Sequence, residues 1–254
     1  MTTSHEVASR EQWLEQRKQL LREEKEFTHH REALAQKRRE LPWVRVEKNY
    51  VFAGPSGPQT LADLFAGRRQ LLVYHFMFAP EWSQGCKSCS LLVDHFDPTL
   101  VHLAHRDTSM TCVSRAPIDK ILAFRERMGW QMPWVSSGDN DFNSDYGVYF
   151  TVEELESGRS TYNYATGPYP ITDLPGLSAF VRDDDGTIYH TYSTYARGLD
   201  IFLNVYNLLD ASPLGRQEAR GEGMNWVRHH DRYSEPVFID PWNEPAAVKP
   251  NLKK

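Results

Sequence analysis

Two cysteines separated by two residues, Cys86 and Cys89, are the most reactive side chains that this sequence places close together. They follow an apolar run of strand length, Leu71 to Phe78, and a short loop containing Pro80 and Gly85, and they begin a segment with the composition of a helix. The N–H groups and the dipole at a helix start favour negative charge, so a thiol there ionises more easily. The CxxC pair therefore predicts a dithiol redox site.

The positions of the two cysteines predict different roles for them. Cys86, nearer the helix start, should be the more acidic and more exposed nucleophile, and Cys89, one turn further in, should resolve the mixed disulfide. Gly85 would let a substrate backbone approach, and Trp82 would line an apolar lip beside the pair. Ordinary loop packing explains Trp82 and Gly85 equally well.

A CxxC pair is also half of a zinc site, so the other half has to be sought. Cys112 is the only other cysteine, and three histidines follow the pair on the same predicted helix: His95, His102 and His105. Side chains beyond the first helical turn cannot fold back onto ligands at the helix start. We therefore predict no metal and no cofactor, and interpret Cys112 as a small buried hydrophobe in an alternating strand.

His75 interrupts the apolar strand that leads to the cysteines. Two interpretations stay open for it. It is either a hydrogen-bonded core histidine or a proton acceptor for Cys89, and the first is the commoner situation.

Residues 9–41 predict one long helix, because they are rich in charge, lack Gly and Pro, begin with a capping box at Ser9 and Gln12 and end before Pro42. One row of apolar residues recurs at intervals of seven: Trp13, Leu20, Phe27, Leu34 and Leu41. The second apolar row of a coiled coil is missing. We expect this helix to dock across the domain or against another subunit, as in a homodimer.

Strand and helix signals alternate over residues 43–212 and end in a hairpin at Asp183–Gly186 and an amphipathic helix over 197–209. A loop-rich, tyrosine-rich insertion at about 137–172 interrupts them, and residues 213–254 form a C-terminal tail. This order predicts an α/β fold, a thioredoxin-like three-layer sandwich with a mixed central sheet of four or five strands behind a long N-terminal helix.

Four segments together resemble a known family: 74–78, 85–90, 174–178 and 190–200. The family is a bacterial one of unknown function, described as predicted dithiol–disulfide oxidoreductases of the thioredoxin superfamily. The resemblance implies a thioredoxin-like fold and redox use of Cys86 and Cys89. It also implies a cis proline that faces the pair and contacts substrate, for which Pro175 has the matching position and Pro133 is the alternative; a trans Pro175 ending the insertion is the ordinary reading.

Composition excludes several partners. A net charge of -5 gives no electrostatic footprint for nucleic acid or anionic lipid, and the apolar runs are too short to span a membrane. With an odd number of cysteines and no signal pattern, we expect a cytoplasmic protein with reduced thiols. Its partner would be a thiol or disulfide substrate, either a protein or a small thiol.

Two other functions compete with the oxidoreductase. Pro80, Ser83 and Cys86 imitate the Pro, Thr or Ser, Cys pattern of peroxiredoxins, but the spacing is one residue short and no activating arginine can be placed. A binding or scaffold protein that has lost catalysis is the third reading. Lys87 and Ser88 replace the Gly-Pro of thioredoxin, so the direction, reductase or oxidase, stays open.

Overall fold

The computed structural model describes residues 6–218 and 223–234. The chain divides into two compact units, Met1–Pro42 and Trp43–Lys254. The first unit is built on helix α1 (Arg10–Arg39), whose capping box has both of its hydrogen bonds between Ser9 and Gln12. The predicted long helix is confirmed. No side chain of α1 is buried, and the most exposed member of the apolar row, Phe27, is 67% accessible.

Ten strands occur in the described part of the second unit: β1 (Val44–Arg45), β2 (Val51–Gly54), β3 (Gly57–Thr60), β4 (Gln70–His75), β5 (Thr108–Ser114), β6 (Trp134–Ser136), β7 (Thr161–Tyr162), β8 (Ala165–Thr166), β9 (Gly176–Arg182) and β10 (Ile188–Tyr195). Eight form one mixed sheet in the order β1-β10-β9-β4-β5-β6-β2-β3, and β7 and β8 form a separate ribbon. The predicted four or five strands are too few. The segment that reads as one strand after Pro42 splits into β1 and β2, which pair at opposite ends of the sheet with β10 and β6.

Seven α-helices accompany these strands in the described residues of that unit: α2 (Leu61–Leu64), α3 (Lys87–Phe96), α4 (Leu100–His105), α5 (Ile118–Arg127), α6 (Phe142–Asp145), α7 (Val152–Glu156) and α8 (Asn204–Ala211). A 3-10 turn containing Pro98 separates α3 from α4, where the proline predicts a break. The predicted helix over 197–209 is divided into a 3-10 turn and α8, with a non-helical backbone at Leu203. Leu203 is almost fully buried, so packing overrides the periodic pattern there.

The centre of the sheet has a thioredoxin-like topology. Strands β4, β5 and β6 are parallel and are linked by α3, α4 and α5, and β9 then returns antiparallel to β4 and forms a hairpin with β10. The resulting order β10-β9-β4-β5, with α8 following the hairpin, is the core of that fold. The predicted α/β fold is confirmed.

Alternate residues of the central strands face two separate apolar clusters. Tyr74 of β4 and Cys112 of β5 belong to the cluster with α3, α5 and α8. Their neighbours Val73 and Val113 belong to the cluster with α2 and α6. Helices therefore cover both faces of the sheet, and α3 lies on the Tyr74 face.

The tyrosine-rich segment 137–172 contains α6, α7 and the β7–β8 ribbon. A third apolar cluster joins Val148, Phe150 and Tyr162 of this segment to Tyr195 at the end of β10. The domain boundaries at residues 42 and 212 and the limits of the insertion stay predictions. The predicted tail, 213–254, lies partly outside the described residues.

Candidate functional site

The chain after β4 returns to the end of that strand before α3 begins. Phe76 and Met77 follow β4 directly, and the N–H of Cys86 donates to the Met77 carbonyl at 3.1 Å. Cys86 is the residue that caps α3, and its carbonyl accepts the first helical hydrogen bond, from the Ser90 N–H at 2.9 Å. The prediction of Cys86 at a helix start is confirmed.

The Cys86 sulfur lies in an environment that favours the thiolate. Its pKa is lowered to about 7, chiefly by a hydrogen bond from the Cys89 thiol, although burial acts in the opposite direction. The N–H groups of Cys89 and Ser88 and the positive charge of Lys87 lower the pKa of Cys86 further. The thiolate of Cys86 is therefore favoured relative to that of an ordinary cysteine.

Cys89 has the opposite environment. It is only 1% accessible, whereas Cys86 is half-buried, and burial raises the pKa of Cys89 far above its ordinary value, with a further rise from neighbouring Cys86. Both cysteines are free thiols. One acidic thiol at the helix start therefore lies beside one neutral, buried thiol that donates to it.

Two tyrosine hydroxyls lie near Cys89. Burial raises the pKa of Tyr74, and the neighbouring Cys89 raises it further. Among the described residues, the Tyr74 hydroxyl has no hydrogen-bond partner of normal geometry. Burial likewise raises the pKa of Tyr162, to which Cys89 also contributes. Sequence reasoning missed both tyrosines, because only the register of β4 and the packing of the insertion bring them to Cys89.

Pro175 lies at the sheet edge where β4 ends, since the next residue, Gly176, pairs with His75. The described residues contain no cis peptide bond, so the expected cis bond before Pro175 is wrong, and the alternative Pro133 is trans as well. A trans Pro175 continues directly into β9. Its carbonyl accepts a hydrogen bond from the Tyr162 hydroxyl at 2.6 Å.

Gly85 fits the second of the two interpretations given for it, ordinary loop packing. It is buried, and a Cβ at this position would approach ring atoms of Phe76 and Phe124 to 2.6 and 2.8 Å. Close packing against these two rings therefore requires the glycine, and no substrate approach is needed to explain it. Trp82 is half-buried against the same apolar cluster as Cys86. The Lys120 ammonium donates a hydrogen bond to the Trp82 carbonyl.

Residues 223–234, which we call the C-terminal clasp, contact the loop before Cys86. Val227 is fully buried and His229 is 5% accessible. The His229 Nε2 lies 2.9 Å from the Gly85 carbonyl, and the Lys87 ammonium donates to the Asn225 carbonyl at 3.2 Å. The sequence assigned this segment to the C-terminal tail and left its role open. A signal was present in the sequence, because the apolar residues Trp226 and Val227 interrupt a charged stretch.

The residues weighed as zinc ligands do not assemble. No group of three or more His, Cys, Asp or Glu side chains that could hold a metal ion occurs in residues 6–218 and 223–234. The His95 Nε2 instead accepts from the Val205 N–H. Cys112 is fully buried in β5, and burial raises its pKa well above the ordinary value.

His75 is a hydrogen-bonded core histidine, the first of the two interpretations above. Its Nε2 lies 2.8 Å from the Ser178 Oγ, and burial lowers its pKa to about 3. It also faces the side of the sheet opposite Tyr74. His75 is therefore not placed to take a proton from Cys89.

The strand order and the cysteine pair at the start of α3 together define a thioredoxin-like protein with a dithiol. The chain belongs to a family of bacterial proteins of unknown function (DUF899), whose model matches residues 2–233. The family resemblance is confirmed over nearly the whole chain.

No curated protein matches this chain. Solved structures with partial similarity include peroxidoxin BcpB from Mycobacterium tuberculosis (15% identity, TM-score 0.41, 65% of this chain and 98% of that chain) and peroxiredoxin Q from Xanthomonas campestris (14%, 0.43, 65% and 98%). A protein described as thiol:disulfide interchange protein DsbE from Chlorobium tepidum is 13% identical, with a TM-score of 0.36 over 59% of this chain and 86% of that chain. The fold assignment comes from the strand order and not from these similarities. None of the described helices is long and apolar enough to cross a membrane.

Proposed function

We propose that the protein is a thiol–disulfide oxidoreductase that uses Cys86 as nucleophile and Cys89 as resolving thiol. The observation that carries this proposal is the difference between the two thiols. Cys86, at the helix start, has a pKa of about 7, and Cys89, one turn deeper, is held neutral. A site for exchange needs this pair, because the first thiol must attack as a thiolate and the second must wait until a mixed disulfide has formed.

The proposed reaction has two steps. The Cys86 thiolate attacks a substrate disulfide, a new S–S bond forms, and one substrate sulfur leaves as a thiolate that takes up a proton. Cys89 then loses its proton and attacks the Cys86 sulfur, which releases the second substrate thiol and leaves a Cys86–Cys89 disulfide. The protein loses two electrons and the substrate gains them; the reverse reaction oxidises a substrate dithiol.

Substrate would reach Cys86 through the part of its side chain that is exposed to solvent. Trp82 packs against the same apolar cluster as Cys86 and is a proposed contact residue. Pro175, whose carbonyl accepts from the Tyr162 hydroxyl, is a second proposed contact. We do not include Gly85 in this set, because it is enclosed by aromatic rings. The substrate class is a thiol or disulfide, on a protein or a small molecule, in the cytoplasm, where free thiols stay reduced.

The test is to trap the mixed disulfide. Cys89→Ser should accumulate a covalent adduct with a model disulfide such as a nitrobenzoate-labelled peptide, because attack still proceeds and release is blocked. Cys86→Ser should trap almost nothing, and Cys112→Ser, the matched control, should react like the wild type. Non-reducing mass spectrometry measures all three.

Three results would reject the assignment. Equal trapping by the Cys86→Ser and Cys89→Ser variants would show that the two thiols do not have separate roles. Rapid consumption of peroxide with formation of a Cys86 sulfenic acid, and no exchange with disulfides, would favour a thiol peroxidase. Absence of either reaction would favour a scaffold.

A further inference from the structure

The peptide group between Gly85 and Cys86 is held on both sides. Its N–H donates to the Met77 carbonyl at 3.1 Å, and its carbonyl lies 2.9 Å from the His229 Nε2. A peptide group bonded at both polar atoms cannot rotate without breaking one of the bonds. Rotation of this group would change the backbone of Cys86, which now has the φ of -59° and ψ of 131° of a helix cap.

The chemistry of this contact places the proton. A carbonyl oxygen only accepts, so the Nε2 of His229 must carry the hydrogen and donate it. Burial lowers the pKa of His229, the Gly85 bond raises it, and Arg127 and Arg232 lower it further. The ring of Phe124 lies against His229, with the ring centres 5.4 Å apart. His229 is thus a buried neutral donor with a fixed orientation.

The rest of the C-terminal clasp holds His229 in place. The side chain of Val227 is buried in the same apolar cluster as Cys86. Asp231 forms a two-bond ion pair with Arg127, whose guanidinium also donates to the Gln84 side chain at 3.1 Å. The loop residue before Gly85 is therefore tied to the same clasp.

We propose that His229 is a positioning residue for the Cys86 nucleophile: its donation to the Gly85 carbonyl keeps the Cys86 sulfur facing the N–H groups at the start of α3. The proposal rests on the proposed function only in giving Cys86 the role of nucleophile. It assigns a specific task to a segment that lies 144 residues further along the chain. Without the donor, only the Met77 bond holds the peptide group, and the alignment of the sulfur with the helix is weakened.

The experiment compares His229→Phe, which keeps a ring against Phe124 but has no donor, with His229→Gln, whose amide N–H reaches a similar position. Alkylation of Cys86 by iodoacetamide is measured from pH 5 to 9 in each full-length variant. In His229→Phe the midpoint should rise by about one pH unit, which lowers the rate at pH 7 about fivefold. His229→Gln should restore a midpoint near that of the wild type.

His230→Gln is the matched control, because it removes a neighbouring histidine of the clasp that bonds to Asp94. It should leave the midpoint of Cys86 unchanged. An unchanged midpoint in a folded His229→Phe variant would overturn the proposal, and so would an equal shift in His230→Gln. If His229→Phe does not fold, nitrogen NMR of the wild-type imidazole decides: a hydrogen on Nε2 supports the proposal and a hydrogen on Nδ1 contradicts it. A wild-type midpoint near that of a free thiol would instead reject the proposed function.

Discussion

Two neighbouring residues of β4 face opposite sides of the sheet, and each belongs to a different polar site. Tyr74 lies under the cysteine pair at the start of α3. His75 begins a chain of side chains that runs through Ser178 and Ser193 to His190, with successive distances of 2.8, 2.8 and 2.7 Å. Both sites contain groups that act as nucleophiles or bases in enzymes.

The environments of these groups separate the two sites. Cys86 is half-buried, and donors at a helix end favour its charged form. His75 and Ser178 are fully buried, and burial lowers the pKa of His75 to about 3, so it stays neutral. Reactive side chains therefore become a candidate site where the fold stabilises a charge near the surface, and they become structural where the fold excludes charge.

The largest expected effect is the pH dependence of Cys86. Because its pKa is lowered to about 7, the thiolate fraction, and with it the rate of alkylation, should fall about tenfold for each pH unit below that value. Above pH 8 the rate should level off. Stopped-flow alkylation of the reduced Cys112→Ser protein measures this profile. An alkylation midpoint above pH 8.5 would show that the thiolate of Cys86 is not stabilised. The contrast between the two polar sites would then be lost.

The polar site around His75 should affect the pH dependence of the protein's stability. The ordinary pKa of histidine is 6.5 and that of folded His75 is about 3, so between these values the unfolded chain binds a proton that the folded protein does not. Stability is therefore lost as the pH falls from 6.5 towards 3, by at most about 1.4 kcal/mol per pH unit for this one group. His75→Phe should flatten that slope and cost about 1–3 kcal/mol at neutral pH, because it breaks a buried hydrogen bond.

Urea unfolding at several pH values measures both quantities for His75→Phe. Cys86 alkylation, recorded alongside, should stay within about twofold of the wild type, since the two sites lie on opposite faces of the sheet. A large loss of Cys86 reactivity in this variant would show that the two polar sites are coupled.

The smallest expected effect on either polar site comes from changes in α1. Its apolar row is exposed along the helix, and an isolated helix with so narrow a row is marginal, so we propose that a second subunit covers it. Trp13→Ala combined with Phe27→Ala should lower the mass in solution or increase proteolysis within residues 10–39. Light scattering and limited trypsin digestion check this. Unchanged mass and unchanged digestion would contradict it, and Lys18→Ala serves as the matched surface control.

Local signals predicted much of the fold. The capping box of α1, the proline break after Phe96 and the hairpin at Asp183–Gly186 all depend on residues close together in the chain, and each occurs where expected. The number of strands was underestimated, because β1, β2 and β3 are short. β1 pairs with the distant β10 and β2 with the distant β6, and β3 pairs with the neighbouring β2. Propensity over two to four residues is too weak to reveal such strands.

The sequence by itself determined the dithiol and its place at a helix start, because a strand, a loop and a capping position are set by neighbouring residues. The order of nucleophile and resolver is a prediction from that placement. Only the tertiary structure decided what surrounds that dithiol. It encloses Gly85 between Phe76 and Phe124, brings Tyr74 and Tyr162 to Cys89, and seats His229 on the Gly85 carbonyl. The physical reason is that a thiol's acidity depends on the distances to donors, charges and apolar atoms, and in this site those groups come from strands, loops and a C-terminal segment that only folding brings together.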